Sequence, residues 1–204
     1  LLAPSYGTYI NEVGLPYGEY YMWEWIGLFQ SEEEVASAPK HPYKIQPGDL
    51  KLKDQNDDGV IDGDDRIVVS GKYPKMVYSF NMDMAYKNVD LTLFFQGIEG
   101  RKIFTHSYIV EPFAQGAPPC VEFRNAWTPE NRDTNVPALY GGIPYYKAGS
   151  NPSTYFLRDA SYLRLKNLQL GYNFPKQWIS KVGLKSLRLY FSGENLFTIT
   201  NYSH

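Results

Sequence analysis

Between Met76 and Gln96 the chain changes chemistry at almost every residue, and that alternation limits the fold more than any other feature. Even positions from 76 to 86 are Met, Tyr, Phe, Met, Met and Tyr, and the odd positions between them are Val, Ser, Asn, Asp and Ala. Successive side chains of a strand point to opposite faces, so 76–86 reads as a strand with one apolar and one mostly polar face. Beyond Lys87-Asn88, Val89, Leu91, Leu93 and Phe95 alternate with Asp90, Thr92, Phe94 and Gln96. Two such runs across a short Asn-containing turn predict a hairpin over 76–97. A second hairpin is predicted within 158–204. Its first strand, 161–174, carries Leu163 and Leu165 in one phase and Leu168, Leu170, Tyr172 and Phe174 in the other. The slip near Lys166-Asn167 predicts a β-bulge. Pro175 ends that strand and 176–185 forms a turn. In the last strand, 186–200, Leu187, Leu189, Phe191, Phe197 and Ile199 share a face with Gly193 and Asn195.

Strands of a soluble sandwich also alternate. Three features favour a transmembrane barrel. The runs are 9 to 15 residues long, where soluble strands average about 5–6 and a bilayer needs about 9–11. Connections alternate between short (Lys87-Asn88), long (98–157) and short (176–185), the asymmetry of barrels with short periplasmic turns and long outer loops. Tyr78, Tyr86, Tyr172, Phe174 and Phe197 sit near strand ends, where an interfacial girdle belongs; aromatics make up 16% of the 204 residues. The predicted fold class is therefore all-β, an antiparallel meander cut from a transmembrane β-barrel with long extracellular loops. Phe80, Met82, Met84, Leu91, Leu93, Leu168, Leu170, Leu189 and Phe191 are expected to point away from the lumen. Each long strand is expected beside its sequence neighbour, with open edges and an uncovered apolar face.

Other features bound the function. No run of about 18 apolar residues is present, which excludes a membrane-spanning helix but not a barrel. The formal charge of −2 gives no sign of nucleic-acid binding. The single cysteine, Cys120, excludes an internal disulfide framework. The chain opens on Leu1-Leu2-Ala3-Pro4 and stops at His204 just past a strand-like run, so it reads as a fragment of something larger. No repeat of fixed period is found. His41, His106 and His204 stand in no metal-ligand spacing, and no nucleophile elbow or Walker loop occurs, so an enzyme is not expected. Ser31 and Glu34 form a capping-box pattern that predicts a short solvated helix. The segment 98–157, with Pro-, Tyr- and Gly-rich sequence, is expected to contact substrate or a partner rather than to build a core. Trp127 is the exception, expected to pack beneath a short helix, and residues 141–151 are expected to matter for uptake but not for insertion.

The most specific local signal is acidic. Asp54, Asn56 and Asp58 stand at positions 1, 3 and 5 of a calcium-type loop, with Gly59 at 6 for the sharp turn. Val60 offers a carbonyl at 7, Ile61 is the apolar anchor at 8, Asp62 stands at 9 and Asp65 at 12. Hard cations need several oxygens on a tight turn, so a structural calcium held by Asp54, Asn56, Asp58, Val60, Asp62 and Asp65 is expected. An acidic, solvated turn of Asx residues is the competing reading. With one loop and no clear flanking helices, a staple of an exposed loop fits better than a sensor.

Seven stretches in order resemble the SusC/RagA class of TonB-dependent outer-membrane transporters. They are Tyr20 to Val35 with WIGLFQSEEEV, Gly48 to Asp62 with GDLKLKDQNDDGVID, Tyr73-Pro74-Lys75, the hairpin ending in Phe94-Phe95-Gln96-Gly97, Ala126 to Asn131 with AWTPEN, Ser161 to Asn167 with SYLRLKN, and Ser192 to Thr198 with SGENLFT. The family often has Gly where this chain has Asp57. The resemblance implies a 22-stranded barrel with an N-terminal plug, located in the bacterial outer membrane. It implies import of oligosaccharides or peptides driven through TonB, with a SusD-like surface lipoprotein as lid. The plug, the TonB box and most of the barrel lie outside this chain. If Lys87-Asn88 is a periplasmic turn, residues 1–75 and 98–157 are extracellular loops and 176–185 is periplasmic. The alternative from another class is a secreted, calcium-stapled β-sandwich that binds glycans.

Overall fold

The alternating and aromatic runs become strands, and the Gly-, Pro- and Asp-rich stretches become the turns between them. The computed structural model describes residues 8–105, 112–113, 118–139 and 152–202. Residues 141–151, His106 and His204 lie outside these. In chain order the elements are β1 (Tyr9–Ile10), β2 (Glu19–Trp23), β3 (Trp25–Leu28), α1 (Glu32–Ala36), β4 (Leu50–Leu52), β5 (Arg66–Val69), β6 (Met76–Tyr86), β7 (Val89–Glu99), β8 (Lys102–Phe104), β9 (Leu157–Asp159), β10 (Tyr162–Asn173), α2 (Lys176–Ile179) and β11 (Arg188–Thr200). Contacts divide the chain into two units, 1–72 with 103–158 and 73–102 with 159–204.

The second unit is one antiparallel sheet in the order β6-β7-β10-β11. Register places Phe80 opposite Phe95, Met82 opposite Leu93 and Met84 opposite Leu91. It continues with Leu93 opposite Leu168 and Leu91 opposite Leu170, then Leu170 opposite Phe191 and Tyr172 opposite Leu189. Directly opposed residues share a face, so all nine side chains expected to point one way do so. The register shifts between Leu165 and Asn167 against both neighbours. This is the bulge that the phase slip predicted, and it keeps Leu163 and Leu165 on the same face as Leu168. Lys87 takes φ 53°, the positive value that a two-residue hairpin demands at its first central position.

No hydrophobic cluster of the described residues includes this face. Phe80 is 54% exposed, Phe191 63% and Leu189 66%. Burying such a side chain is worth roughly 1.5–3 kcal/mol, so a water-soluble sandwich would not leave the row uncovered. The opposite face carries a polar ladder. Thr92 donates to Asp83 at 2.7 Å, and Arg164 donates to the Thr198 hydroxyl at 2.8 Å. Arg188 on β11 reaches past β10 to Asp90 on β7 at 2.5 Å. It can do so because Gly171 lies between them: a Cβ there would stand 2.5 Å from Asp90 and 2.6 Å from Arg188.

The first unit has small sheets, β1-β2-β5 and β3-β4, around its own core. Leu28, Leu50, Trp127, Ala138, Tyr155 and Phe156 form one cluster; Trp23, Leu52 and Ile61 form another. This corrects the expectation that 98–157 stays out of a core. Trp127 does pack inside, with Nε1 donating to Gln30 Oε1 at 2.9 Å, but Phe123, Ala126, Ala138, Tyr155 and Phe156 are buried as well. Buried backbone groups need partners, and the described part of this connection finds them both within itself and on the turn before β4: Trp127 N–H donates to the Val136 carbonyl at 2.8 Å and Ala138 N–H to the Gly48 carbonyl at 3.0 Å.

Candidate metal loop

Residues 54–65 run from the end of β4 to the start of β5, between two strands rather than between helices. Their side chains fold back onto their own backbone. Asp54 Oδ2 accepts from Gly59 N at 2.8 Å, Asn56 Oδ1 from Asp58 N at 3.0 Å, and Asp58 Oδ1 from Val60 N at 2.8 Å. Asp57 and Gly59 take φ 58° and 82°, the left-handed conformation that lets the chain turn twice within six residues. Asp62 caps a single 3-10 turn, Gly63–Asp65, and Asp65 returns the bond to Asp62 N at 2.8 Å. Asp65 also accepts from Gln55 N at 2.8 Å.

The loop is fastened to its unit at three points. Ile61 is 1% exposed and packs with Trp23 and Leu52, the anchoring role its position predicted. Trp23 Nε1 donates to the Asp62 carbonyl at 2.5 Å. Lys40 pairs with the strand-like part of the loop, donating to Gly59 O at 2.9 Å and accepting from Ile61 N at 2.8 Å.

The electrostatics separate the acids. Asp65 is fully buried; burial pushes its carboxyl up, but the N–H groups of Asp62, Gln55 and Asn56 outweigh it and hold it below the usual range. Asp54 Oδ1 is buried without a hydrogen-bond partner, and the Asp54 side chain reaches Asp65. That orphaned oxygen fits a metal ligand. Among the described residues, however, no three His, Cys, Asp or Glu side chains converge on one point. Asp54 and Asp65 come together, while Asp58 and Asp62 turn to backbone N–H groups.

Sequence reading missed Asp49. It is 2% exposed, and burial pushes its carboxyl up to about 7. It closes the Gln46-Pro47-Gly48-Asp49 turn, accepting from Gln46 N at 2.9 Å. The only sequence signal is its place in the GDLKLKD stretch. The capping pattern at Ser31 is realised in altered form: Ser31 Oγ accepts from Glu34 N at 3.3 Å, while Glu34 accepts from Gln30 N at 2.6 Å instead of from the cap residue.

No family profile matches the chain. It is 34% identical over 195 residues to TonB-dependent receptor P3 of Formosa agariphila, covering 96% of this chain and 19% of that protein. It is 24% identical over 163 residues to TonB-dependent receptor SusC of Bacteroides thetaiotaomicron, covering 77% of this chain and 15% of that one. In three dimensions it matches the RagAB peptide importer in its open-open state, with TM-score 0.66 and 26% identity over 99% of this chain and 21% of the importer chain. The chain is a segment of a SusC/RagA-type TonB-dependent receptor. It spans about a fifth of the length of the relatives it matches. These relatives are named as receptors and an importer, not as enzymes. In this SusC/RagA-type segment the stretches that carried the resemblance build both units. WIGLFQ supplies β3 and the fully buried Phe29, GDLKLKD supplies β4, and SYLRLKN supplies the bulged half of β10.

Proposed function

We propose that this segment contributes four adjacent strands to a 22-stranded outer-membrane barrel that imports oligosaccharides or peptides. The observation that carries the reading is the single sheet of long strands, with one uncovered apolar face and one hydrogen-bonded polar face. A lipid-facing wall with a wet lumen behind it needs that combination. Energy comes through TonB, acting on parts of the receptor outside this segment, and a SusD-like lipoprotein closes the outer side. The first unit belongs to the extracellular loops. Similarity to a peptide importer keeps peptides beside glycans as cargo. The test is deletion and re-expression of the full-length receptor in its own host, with growth on defined peptides and on defined oligosaccharides as sole supply. Growth on one class should fail and return with the gene. Unchanged growth on every substrate would remove the import reading.

The loop 54–65 we propose as a calcium staple on that extracellular unit. Supporting this are the orphaned Asp54 Oδ1 and its approach to Asp65. Asp58, Asp62 and Asn56 would complete the oxygen set by rotation of their exposed side chains away from the backbone N–H groups they now hold, with the Val60 carbonyl as a main-chain ligand. Calorimetry of the full-length receptor should give saturable calcium heat that falls at least tenfold in affinity in Asp58→Ala, about 1.4 kcal/mol. Identical heats for both proteins would leave the loop an ordinary Asx turn.

A further inference from the structure

The two tight connections of the sheet lie at the same end: Asn173 N–H donates to the Asn88 carbonyl at 2.8 Å, and Tyr172 stands opposite Val89. That end is basic. The connection 174–187 contains Lys176, Lys181 and Lys185 and no acidic residue, and the hairpin turn adds Lys87. Among the described residues none of these four lysines is in an ion pair. Asp90, beside the hairpin turn, is taken by Arg188 at 2.5 Å.

The same end is also greasy where it meets water. α2 runs into a 3-10 turn, Ser180–Val182, which Gly183 stops at φ 77°. Ile179 is buried at 3%, while Trp178 is 60% exposed and Val182 72%. Tyr86 is 72% exposed, with the Lys87 ammonium 5.2 Å from its ring centre. A shallow apolar groove of about 460 Å³ begins here, lined by Val89, Leu170, Tyr172, Leu189 and Phe191, and is continuous with the apolar face. Exposed Trp beside unpaired Lys, at the edge of an apolar wall, is the composition of an interfacial anchor.

We propose that the turn 174–187 is a binding site for an anionic phospholipid of the periplasmic leaflet. Lys176, Lys181, Lys185 and Lys87 face the headgroup phosphate, Trp178 lies at headgroup depth, and one acyl chain follows the Leu170–Leu189 groove. Charge complementarity and continuity with the lipid wall select this occupant over an uncharged lipid. The inference rests on the barrel reading above.

The test uses the full-length receptor in nanodiscs of phosphatidylethanolamine with and without phosphatidylglycerol, reading retained lipid by native mass spectrometry. The parent should retain phosphatidylglycerol preferentially. The triple variant Lys176→Gln, Lys181→Gln, Lys185→Gln should lose at least about tenfold of that preference, since each basic residue near an anionic surface contributes roughly fivefold. The matching triple Arg variant should keep it, and raised salt should weaken it. Equal retention by parent and Gln variant overturns the site. So does preferential retention of added lipopolysaccharide, which would put this end outside. A Gln variant that fails to insert is replaced by Trp178→Ala with Lys185→Gln, judged by the same readout. A receptor that needs no detergent or lipid to stay soluble would instead refute the barrel itself.

Discussion

Asp49 shows how one side chain can set the pH response of a whole loop unit. In an unfolded chain its carboxyl would ionise near about 3.9; in the folded unit burial pushes it up to about 7. Between those values the unfolded form surrenders its proton while the folded form holds it. This group's contribution to stability is therefore fully present below about pH 4, declines as pH rises to about 7, and is lost above. Asp49→Asn keeps an oxygen for the Gln46 N–H and removes the charge. The variant should flatten that slope and be more stable than the parent at pH 8 by on the order of 1–3 kcal/mol, with little difference at pH 4. Protease-resistance midpoints of the full-length receptor in denaturant, at pH 4 and pH 8, measure both. A variant-to-parent difference equal at the two values would mean that Asp49 ionises as if exposed.

At the scale of one strand, β6 separates the two faces that the barrel reading assigns to lipid and to lumen. Met82 sits opposite Leu93 on the apolar face, and its neighbour Asn81 donates to Asp83 at 2.6 Å on the polar face. A lysine at the bilayer midplane costs about 2–4 kcal/mol on the lipid side. Met82→Lys should therefore destabilise the full-length receptor by that order in a lipid refolding titration, and Asn81→Lys by far less. Equal costs would mean that the two faces do not differ in solvent. Legibility also differed between elements. β6, β7, β10 and β11 could be read because each has one face in each environment. β2 could not: four of its five residues, on both faces, are buried in the pattern BBiBB, so no alternation marks it. β4 and β5 span only three and four residues, too short for any period to show.

At the scale of the whole molecule, the sheet formed by the described residues is open. Among the described residues β6 pairs only with β7, and β11 only with β10. Each outer strand keeps a row of free N–H and C=O groups, and the apolar face between them remains exposed. Such edges template further pairing, and an apolar surface of this extent drives association. The 204-residue chain expressed by itself should elute as aggregates in size-exclusion chromatography without detergent and shift to small particles when detergent is added. A monodisperse monomer in plain buffer would contradict the open-sheet architecture.

What the sequence determined by itself is whatever a period of two can record. Strand positions, the common face of Phe80, Leu91, Leu170 and Leu189, and the bulge at Lys166-Asn167 all follow from which neighbouring residues are apolar. The geometry of 54–65 was half legible. Fixed spacings place Gly59 at the turn and Ile61 at the anchor, because both roles are local. Tertiary structure alone decided the rest. Trp127 meets Gln30 across 97 positions of chain, Leu28 and Leu50 share a core with Tyr155 and Phe156, and Arg188 meets Asp90 over Gly171. Such contacts depend on how distant segments close upon each other. No local period records that closure, because its free energy comes from shared burial and not from neighbours along the chain.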